Sequence, residues 1–206
     1  MKIAAYVMSC PDRKEMRVQT LLDLAATDWR DEPWVEIDDT SCERRQERQE
    51  TTARKTLEKA VTDGPDFILF LEDDLQFNRH LRHNLLHWAP LLETQSEANF
   101  FASLYNPMVL PMEVHYDRAF FRAHPDSVYG SQAFLLSLRT ARYIVQHWPE
   151  IPGMQDIKMS RLASRLCPIF YHTPSMVQHV GQASAWGGHY HSARDFAIDW
   201  KTKEGC

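Results

Sequence analysis

The sequence predicts an α/β protein in which a mostly parallel central sheet is flanked by helices. Within the first 77 residues, strand-like and helix-like segments alternate in the order strand, helix, strand, helix, strand. The third strand-like segment, Phe67–Leu71, holds five apolar residues in succession, which is typical of a strand buried on both faces. Alternation of this kind predicts parallel strands joined by right-handed helical crossovers.

The first half of the chain supplies the clearest elements. Apolar runs predict strands over residues 2–9 and 34–39, and between them apolar positions at near-helical spacing predict a helix over 14–26. A longer, highly charged helix is predicted over 43–63. Gly64-Pro65 ends this helix, because glycine is favoured just after a helix and proline cannot continue one.

The second half is less regular. The expected helices span residues 78–92, 139–148 and 156–166, and the expected strands span 99–105, 133–138 and 168–172. Residues 108–127 give few signals beyond a short strand-like segment at 119–121, and no regular structure is predicted after Pro174. All 206 residues are expected to form a single domain, a size at which folding buries a substantial core.

The composition is ordinary for a globular protein, at 44% apolar and 25% charged residues. A formal charge of −5 argues against generic binding to nucleic acid. The four cysteines are widely spaced, which predicts reduced thiols rather than a zinc site or a disulfide framework. No export signal is found, and no apolar run approaches about 18 residues, so we expect a cytoplasmic protein without a membrane span.

Polar residues follow each of the first three predicted strands, at 9–13, 38–41 and 72–74. In a parallel sheet these turns lie at one edge, where α/β sheets bind ligands. Glu72, Asp73 and Asp74 are adjacent carboxylates, which repel one another unless a cation lies among them. We therefore expect Mg²⁺ or Mn²⁺ here and, through the metal, the phosphates of a nucleotide. A solvated acidic turn is the simpler alternative.

Several common nucleotide sites are excluded. The chain has no Gly-x-x-x-x-Gly-Lys-Ser/Thr loop, no Gly-x-Gly-x-x-Gly after the first strand, and no Gly-x-Ser-x-Gly elbow. A nucleotide at this edge would be held by the metal and by the polar strand ends. His189 and His191 invite a second metal site in the tail, but no further acid or cysteine completes a zinc set.

Four segments in order carry a family resemblance. These are Ser-Cys-Pro-Asp-Arg at 9–13, Phe-Ile-Leu-Phe-Leu-Glu-Asp-Asp at 67–74, Tyr-Gly-Ser-Gln-Ala at 129–133, and Pro-Ser-Met-Val-Gln-His-Val-Gly at 174–181. Together they resemble glycosyltransferases of the GT-A fold. The last segment is similar to one in the N-acetylglucosaminyltransferases that branch N-glycans. The resemblance implies a GT-A-like domain, with a nucleotide-sugar half at 1–105 and an acceptor half with a C-terminal flap at 106–206.

The resemblance also implies roles for particular residues. Asp74 would ligate the metal at the sugar-nucleotide diphosphate, and His179 would be a second ligand, for which a histidine satisfied by backbone is the alternative. The donor would be a nucleotide-sugar, with UDP expected from the resemblance. The residues expected to hold it are Ser9, Arg13, Asp38, Asp39, Glu72, Asp73, Ser131, Gln132, Gly181 and Trp186, with Trp186 on a glycine-hinged flap. A salt bridge within a turn is the alternative role for Arg13 and Asp39.

Asp156 is the candidate general base for an inverting hexosyl transfer. Such a reaction needs a carboxylate within hydrogen-bond reach of the acceptor hydroxyl, and inverting members carry an acid near a helix start that faces the metal. An N-cap aspartate is the structural alternative. The acceptor is expected to be a glycan or, in a phage-type context, a hydroxymethylated DNA base. The competing functions are a nucleotidyltransferase and a non-catalytic nucleotide-sugar or glycan-binding module.

Overall fold

The computed structural model describes residues 1–41, 44–94, 98–181 and 191–203. The strands of this part are β1 (Ile3–Ser9), β2 (Trp34–Ile37), β3 (Phe67–Leu71), β4 (Leu75–Phe77), β5 (Phe101–Ser103), β6 (Glu113–His115), β7 (Phe120–Ala123), β8 (Ala133–Ser137), β9 (Ile169–His172) and β10 (Val177–His179). The α-helices are α1 (Lys14–Ala25), α2 (Arg45–Asp63), α3 (Leu81–Leu86), α4 (Ala89–Leu92), α5 (Leu138–His147) and α6 (Gln155–Ala163).

The central sheet contains eight of these strands in the order β2-β1-β3-β8-β5-β9-β7-β6. Only β8 and β7 of this sheet run against the direction of β1, and the other strands run with it. The α/β class with a mostly parallel sheet is therefore confirmed. Strand β8, from the second half of the chain, lies between β3 and β5, so both halves share one sheet. Strands β4 and β10 pair antiparallel in a separate two-stranded sheet.

Hydrophobic cores cover both faces of the central sheet. Strand β3 shows this most clearly, because Phe67, Leu69 and Leu71 lie in one core and Ile68 and Phe70 in the other. Helices α1, α3 and α4 pack on the first face, and α2, α5 and α6 pack on the second. Each fully buried Phe, Leu or Ile contributes roughly 1.5–3 kcal/mol relative to exposure, so β3 is a principal support of the edge that follows it.

Four of the five predicted helices are present, with ends within three residues of those expected. Gly64 adopts φ +66° as the C-cap of α2, and its N–H donates to the Ala60 carbonyl, as the Gly-Pro signal predicts. The single helix expected over 78–92 is wrong, because the chain divides it into α3 and α4. Trp88 is extended between them and Pro90 lies in the first turn of α4, where the lack of a proline N–H costs no helical hydrogen bond. No helix among the described residues is long and apolar enough to cross a bilayer.

Candidate active site at the carboxyl edge of the sheet

The polar ends of β1, β2 and β3 meet at one edge of the sheet, because these three strands are neighbours and parallel. The backbone N–H of Asp38 donates to the Ser9 carbonyl at 2.8 Å. The Ser9 hydroxyl in turn donates to Asp73 at 2.5 Å and accepts from Arg17 at 2.8 Å. The three strand ends are therefore joined by direct hydrogen bonds.

Glu72, Asp73 and Asp74 are all buried, at 7%, 2% and 1% exposure, which excludes the solvated acidic turn. The chain leaves β3 at Glu72, turns, and enters β4 at Leu75. Thr20 of α1 braces this turn, since its hydroxyl donates to the Asp73 carbonyl at 2.7 Å and accepts from the Leu75 N–H at 3.0 Å. The acidic residues are held in place by backbone contacts that do not involve their own carboxylates.

Asp74 lies between two cationic side chains. Its Oδ2 atom accepts from Arg13 and lies 3.0 Å from Nε2 of His179. Burial alone would raise the pKa of Asp74, but the hydrogen bonds and charges of His179 and Arg13 outweigh it and hold the pKa below its ordinary value. Burial would likewise lower the pKa of His179, and Asp74 raises it instead. The Oδ1 atom of Asp74 is buried and has no hydrogen-bond partner among the described residues.

Glu72 is held by a different set of partners. The Ser131 hydroxyl donates to its Oε1 atom, and Gln155 Nε2 donates to the same atom at 3.0 Å. Burial, reinforced by the charge of Asp74, raises the pKa of Glu72 to about 7. The backbone N–H of Glu72 donates to the Gln132 carbonyl at 3.0 Å, so β8 holds this residue as well.

Asp73 faces the first strand. It accepts from Ser9 and pairs with Arg13 Nη1 at 3.3 Å. Burial raises the pKa of Asp73 to about 6 in spite of the Arg13 charge. With Glu72 also raised, the acidic trio carries less negative charge near neutral pH than three free carboxylates would.

His179 reaches the site because β10 pairs with β4, the strand that begins directly after the acidic turn. Its Nδ1 atom lies 3.0 Å from the His191 carbonyl, which can only accept, so Nδ1 carries a proton. Gly181 follows two residues later against the same carboxylate. A Cβ atom on Gly181 would stand 2.4 Å from Asp74 Oδ2 and 2.9 Å from Arg13 Nη2, so only glycine allows this close approach.

Asp38 and Asp39 have other partners at the rim. Asp38 accepts from Arg48 Nε at 2.6 Å and from the Thr40 hydroxyl at 2.7 Å, and these contacts outweigh burial and lower its pKa. Asp39 is exposed and pairs with Lys55. The alternative of a turn salt bridge between Arg13 and Asp39 does not occur, because Arg13 pairs with the acidic trio instead.

Asp156 lies in the first turn of α6, but it is not the N-cap, which is Met154. Its carboxylate accepts from the Gly130 N–H and from the Ile157 N–H, each at 2.9 Å. The neighbouring residue Gln155 reaches Glu72, so the first turn of α6 contacts the acidic trio. Gly130 takes φ +79°, a conformation that favours glycine and that turns its N–H toward Asp156.

Two of the expected donor-binding residues lie just before β8. Ser131 and Gln132 are buried against Glu72, and the Oε1 atom of Gln132 is buried without a hydrogen-bond partner in the described part of the chain. Trp186 and His189 lie outside the described residues. The sequence did not single out Gln155, Arg17 or Thr20, because each acts through a contact that no local pattern indicates.

The site offers a carboxylate and an imidazole to a metal. The described residues contain no cluster of three or more His, Cys, Asp or Glu side chains arranged to hold a metal by themselves. Asp74 Oδ1 and His179 Nε2 are the two atoms that could ligate a cation completed by substrate phosphates and water, and Nε2 would then exchange its contact with Asp74 Oδ2 for the cation. The Nδ1–H contact of His179 with a carbonyl is the outer hydrogen bond that metal-binding histidines usually make.

Comparisons with known proteins give little further information. No protein-family model matches the chain, and no curated protein matches it. A search of solved structures found similarity to the crystal structure of mannose-1-phosphate geranyltransferase from Thermus thermophilus, with a TM-score of 0.45 and 12% sequence identity. The match covers 84% of this chain and 74% of that one. A TM-score of this size carries no argument about this chain.

Proposed function

We propose that the chain is a metal-dependent glycosyltransferase that moves a sugar from a nucleotide-sugar to a hydroxyl acceptor. The observation that carries the proposal is the buried Asp74 carboxylate, with one unpaired oxygen, opposite His179 at the carboxyl edge of the sheet, as the described residues show it. A buried carboxylate oxygen without a donor costs free energy unless a ligand satisfies it. A Mn²⁺ or Mg²⁺ ion that also binds a diphosphate meets this need.

The residues of the site divide into those that hold the donor and one that moves a proton. Asp74 and His179 would ligate the metal, which when bound stabilises the charge of a departing nucleoside diphosphate. Imidazole in the set favours Mn²⁺ over Mg²⁺. Arg13 lies beside Asp74, and some of its N–H groups can donate to a phosphate instead of to the carboxylates, since a planar guanidinium binds either anion. The other expected donor contacts would be made around Ser9 and Gln132, and the assignment of UDP follows the family resemblance.

Asp156 is the proposed general base. Its two observed hydrogen bonds come from backbone N–H groups, which orient the carboxylate and leave further lone pairs for an acceptor hydroxyl. It would take the hydroxyl proton as the acceptor oxygen attacks the anomeric carbon, which makes the reaction an inverting one. The neighbouring contact between Gln155 and Glu72 ties the position of this base to the donor site.

The test is to identify the products formed from UDP-sugars with Mn²⁺ in the presence of a panel of glycan acceptors and hydroxymethylated DNA. We expect UDP as the nucleotide product, from transfer or slow donor hydrolysis. Asp156→Asn should lower turnover by about 10²–10⁴-fold while UDP binding stays intact. Asp199→Asn, at an exposed ion pair with Arg79, is the matched control and should leave turnover unchanged.

Two outcomes would contradict the proposal. Release of pyrophosphate from a nucleoside triphosphate and a sugar phosphate, without UDP formation, would indicate a nucleotidyltransferase. Donor binding without any turnover, equal in the parent protein and in Asp156→Asn, would indicate a binding module.

A further inference from the structure

A cavity lies at the same edge of the sheet but away from the acidic trio. Its volume is about 220 Å³, and it opens between the α3–α4 junction, the turn before β7, the end of β9 and the C-terminal segment. Strand β9 lies three positions from β3, and neighbouring strands are spaced about 4.8 Å apart, so the strands that lead to the two sites are roughly 14 Å apart. The cavity is smaller than the roughly 300–1,000 Å³ of drug-sized sites, which suits a single small ring.

His172 is the buried polar group of this cavity. It is 0% exposed, and its Nδ1 atom lies 2.7 Å from the Pro174 carbonyl. A carbonyl can only accept, so Nδ1 carries the proton. Burial lowers the pKa of His172 to about 4, so the ring is neutral near pH 7 and Nε2 presents a lone pair. The Nε2 atom is buried and has no partner among the described residues, so a hydroxyl or N–H donor from water or from a ligand would satisfy it.

The walls of the cavity are aromatic. Trp88 and Trp200 both pack against His172, with ring centroids 4.9 and 5.3 Å from the imidazole. The indole N–H of Trp88 donates to the Ala119 carbonyl at 3.0 Å and the side chain is buried, so Trp88 forms the floor of the cavity and the partly exposed Trp200 forms its aromatic wall. An apolar ring face combined with a buried hydrogen-bond acceptor suits a sugar, whose C–H face is apolar and whose hydroxyls donate.

The rim of the cavity is basic. Lys201 and Lys203 are exposed, and neither has an ion-pair partner in the part of the chain that is described. Arg118 also lies at the rim but is paired with Glu93. Among the lining residues that the structure describes, Asp117 offsets one of the two lysine charges and leaves a net positive charge. The positive charge at the rim would therefore attract an anionic group of the ligand, while the rest of the ligand lies inside the cavity.

From these contacts we propose that the cavity binds a monosaccharide phosphate, with a hydroxyl on His172 Nε2, the ring against Trp200, and the phosphate at Lys201 and Lys203. The proposal does not depend on the function of the acidic edge, because none of these residues belongs to it.

The experiment titrates the full chain with glucose 6-phosphate, glucose and inorganic phosphate separately, and follows tryptophan fluorescence together with the ¹⁵N shift of His172 Nε2. We expect saturable binding of glucose 6-phosphate and at least about tenfold weaker binding of the other two probes, since each retains only part of the interaction. The double variant Lys201→Ala with Lys203→Ala should weaken the binding of glucose 6-phosphate about tenfold without affecting the fold. His172→Asn should abolish the saturable change.

The matched control removes two cations elsewhere, by Arg142→Ala with Arg161→Ala on α5 and α6, and should bind as the parent does. The proposal is overturned if the His172 resonance is unmoved by millimolar glucose 6-phosphate. It is also overturned if inorganic phosphate binds equally well, which would show a surface effect of the lysines alone, or if the control pair weakens binding as much as the lysine pair.

Discussion

Replacement of His172 by Asn should remove a specific loss of stability at acidic pH. In the folded protein the buried ring has its pKa lowered to about 4, against 6.5 for an unperturbed histidine. Between these two values the unfolded chain binds a proton that the folded chain does not, so the free energy of unfolding falls as the pH decreases. Linkage from the two pKa values gives a loss of about 2 kcal/mol between about pH 7.5 and pH 5.

Asparagine suits the test because its side-chain N–H can still donate to the Pro174 carbonyl, while it carries no proton that titrates. The variant also loses the ring that packs against Trp88 and Trp200, so we expect it to be less stable than the parent at neutral pH. Urea unfolding gives the free energy of unfolding of both proteins at the two pH values. The difference between the proteins isolates the titration of His172, because all other groups titrate in both. The stability advantage of the parent should shrink by about 2 kcal/mol on acidification. An advantage that is equal at both pH values would refute a buried neutral His172.

Substitutions at three further positions test the supports of the site and fold. Gly64→Ala should destabilise by about 1–2 kcal/mol in urea unfolding, because φ +66° is unfavourable for a residue with a Cβ atom, and Gly64→Asn should cost less. Gly181→Ala should abolish the rise in melting temperature caused by Mn²⁺ with UDP but leave the far-UV circular dichroism spectrum unchanged, since the new Cβ meets the Asp74 carboxylate. Thr20→Val should cost about 1–3 kcal/mol in urea unfolding, because it removes both hydrogen bonds that brace the backbone around Asp74.

Much of this fold is predictable from the sequence because periodicity and end signals agree. The continuous apolar run of β3 and the Gly-Pro stop of α2 each have a direct physical cause. The gathering of Ser9, Asp38 and the acidic trio follows from three adjacent parallel strands. The α/β alternation therefore predicts both the sheet and the edge at which its polar ends meet.

The remaining features depend on contacts between distant parts of the chain. Strands β4 and β10 have three residues each, which is too short for alternation to be detected. Gln155 contacts Glu72 across 83 positions, and no local pattern indicates such a pair. The family resemblance predicts His179 as a metal ligand, and its approach to Asp74 depends on the pairing of β10 with β4. Such side-chain pairs are decided by tertiary structure.

The most direct test of the proposed function is the melting temperature of the chain with UDP, measured with and without Mn²⁺, in the parent protein and in Asp74→Asn. At a UDP concentration about 100 times its dissociation constant, binding adds about 2.7 kcal/mol, which corresponds to a rise of roughly 5–10 °C for a chain of this size. We predict this rise for the parent with Mn²⁺ and its loss in Asp74→Asn. An equal rise without metal, or in the variant, would contradict a metal site at Asp74.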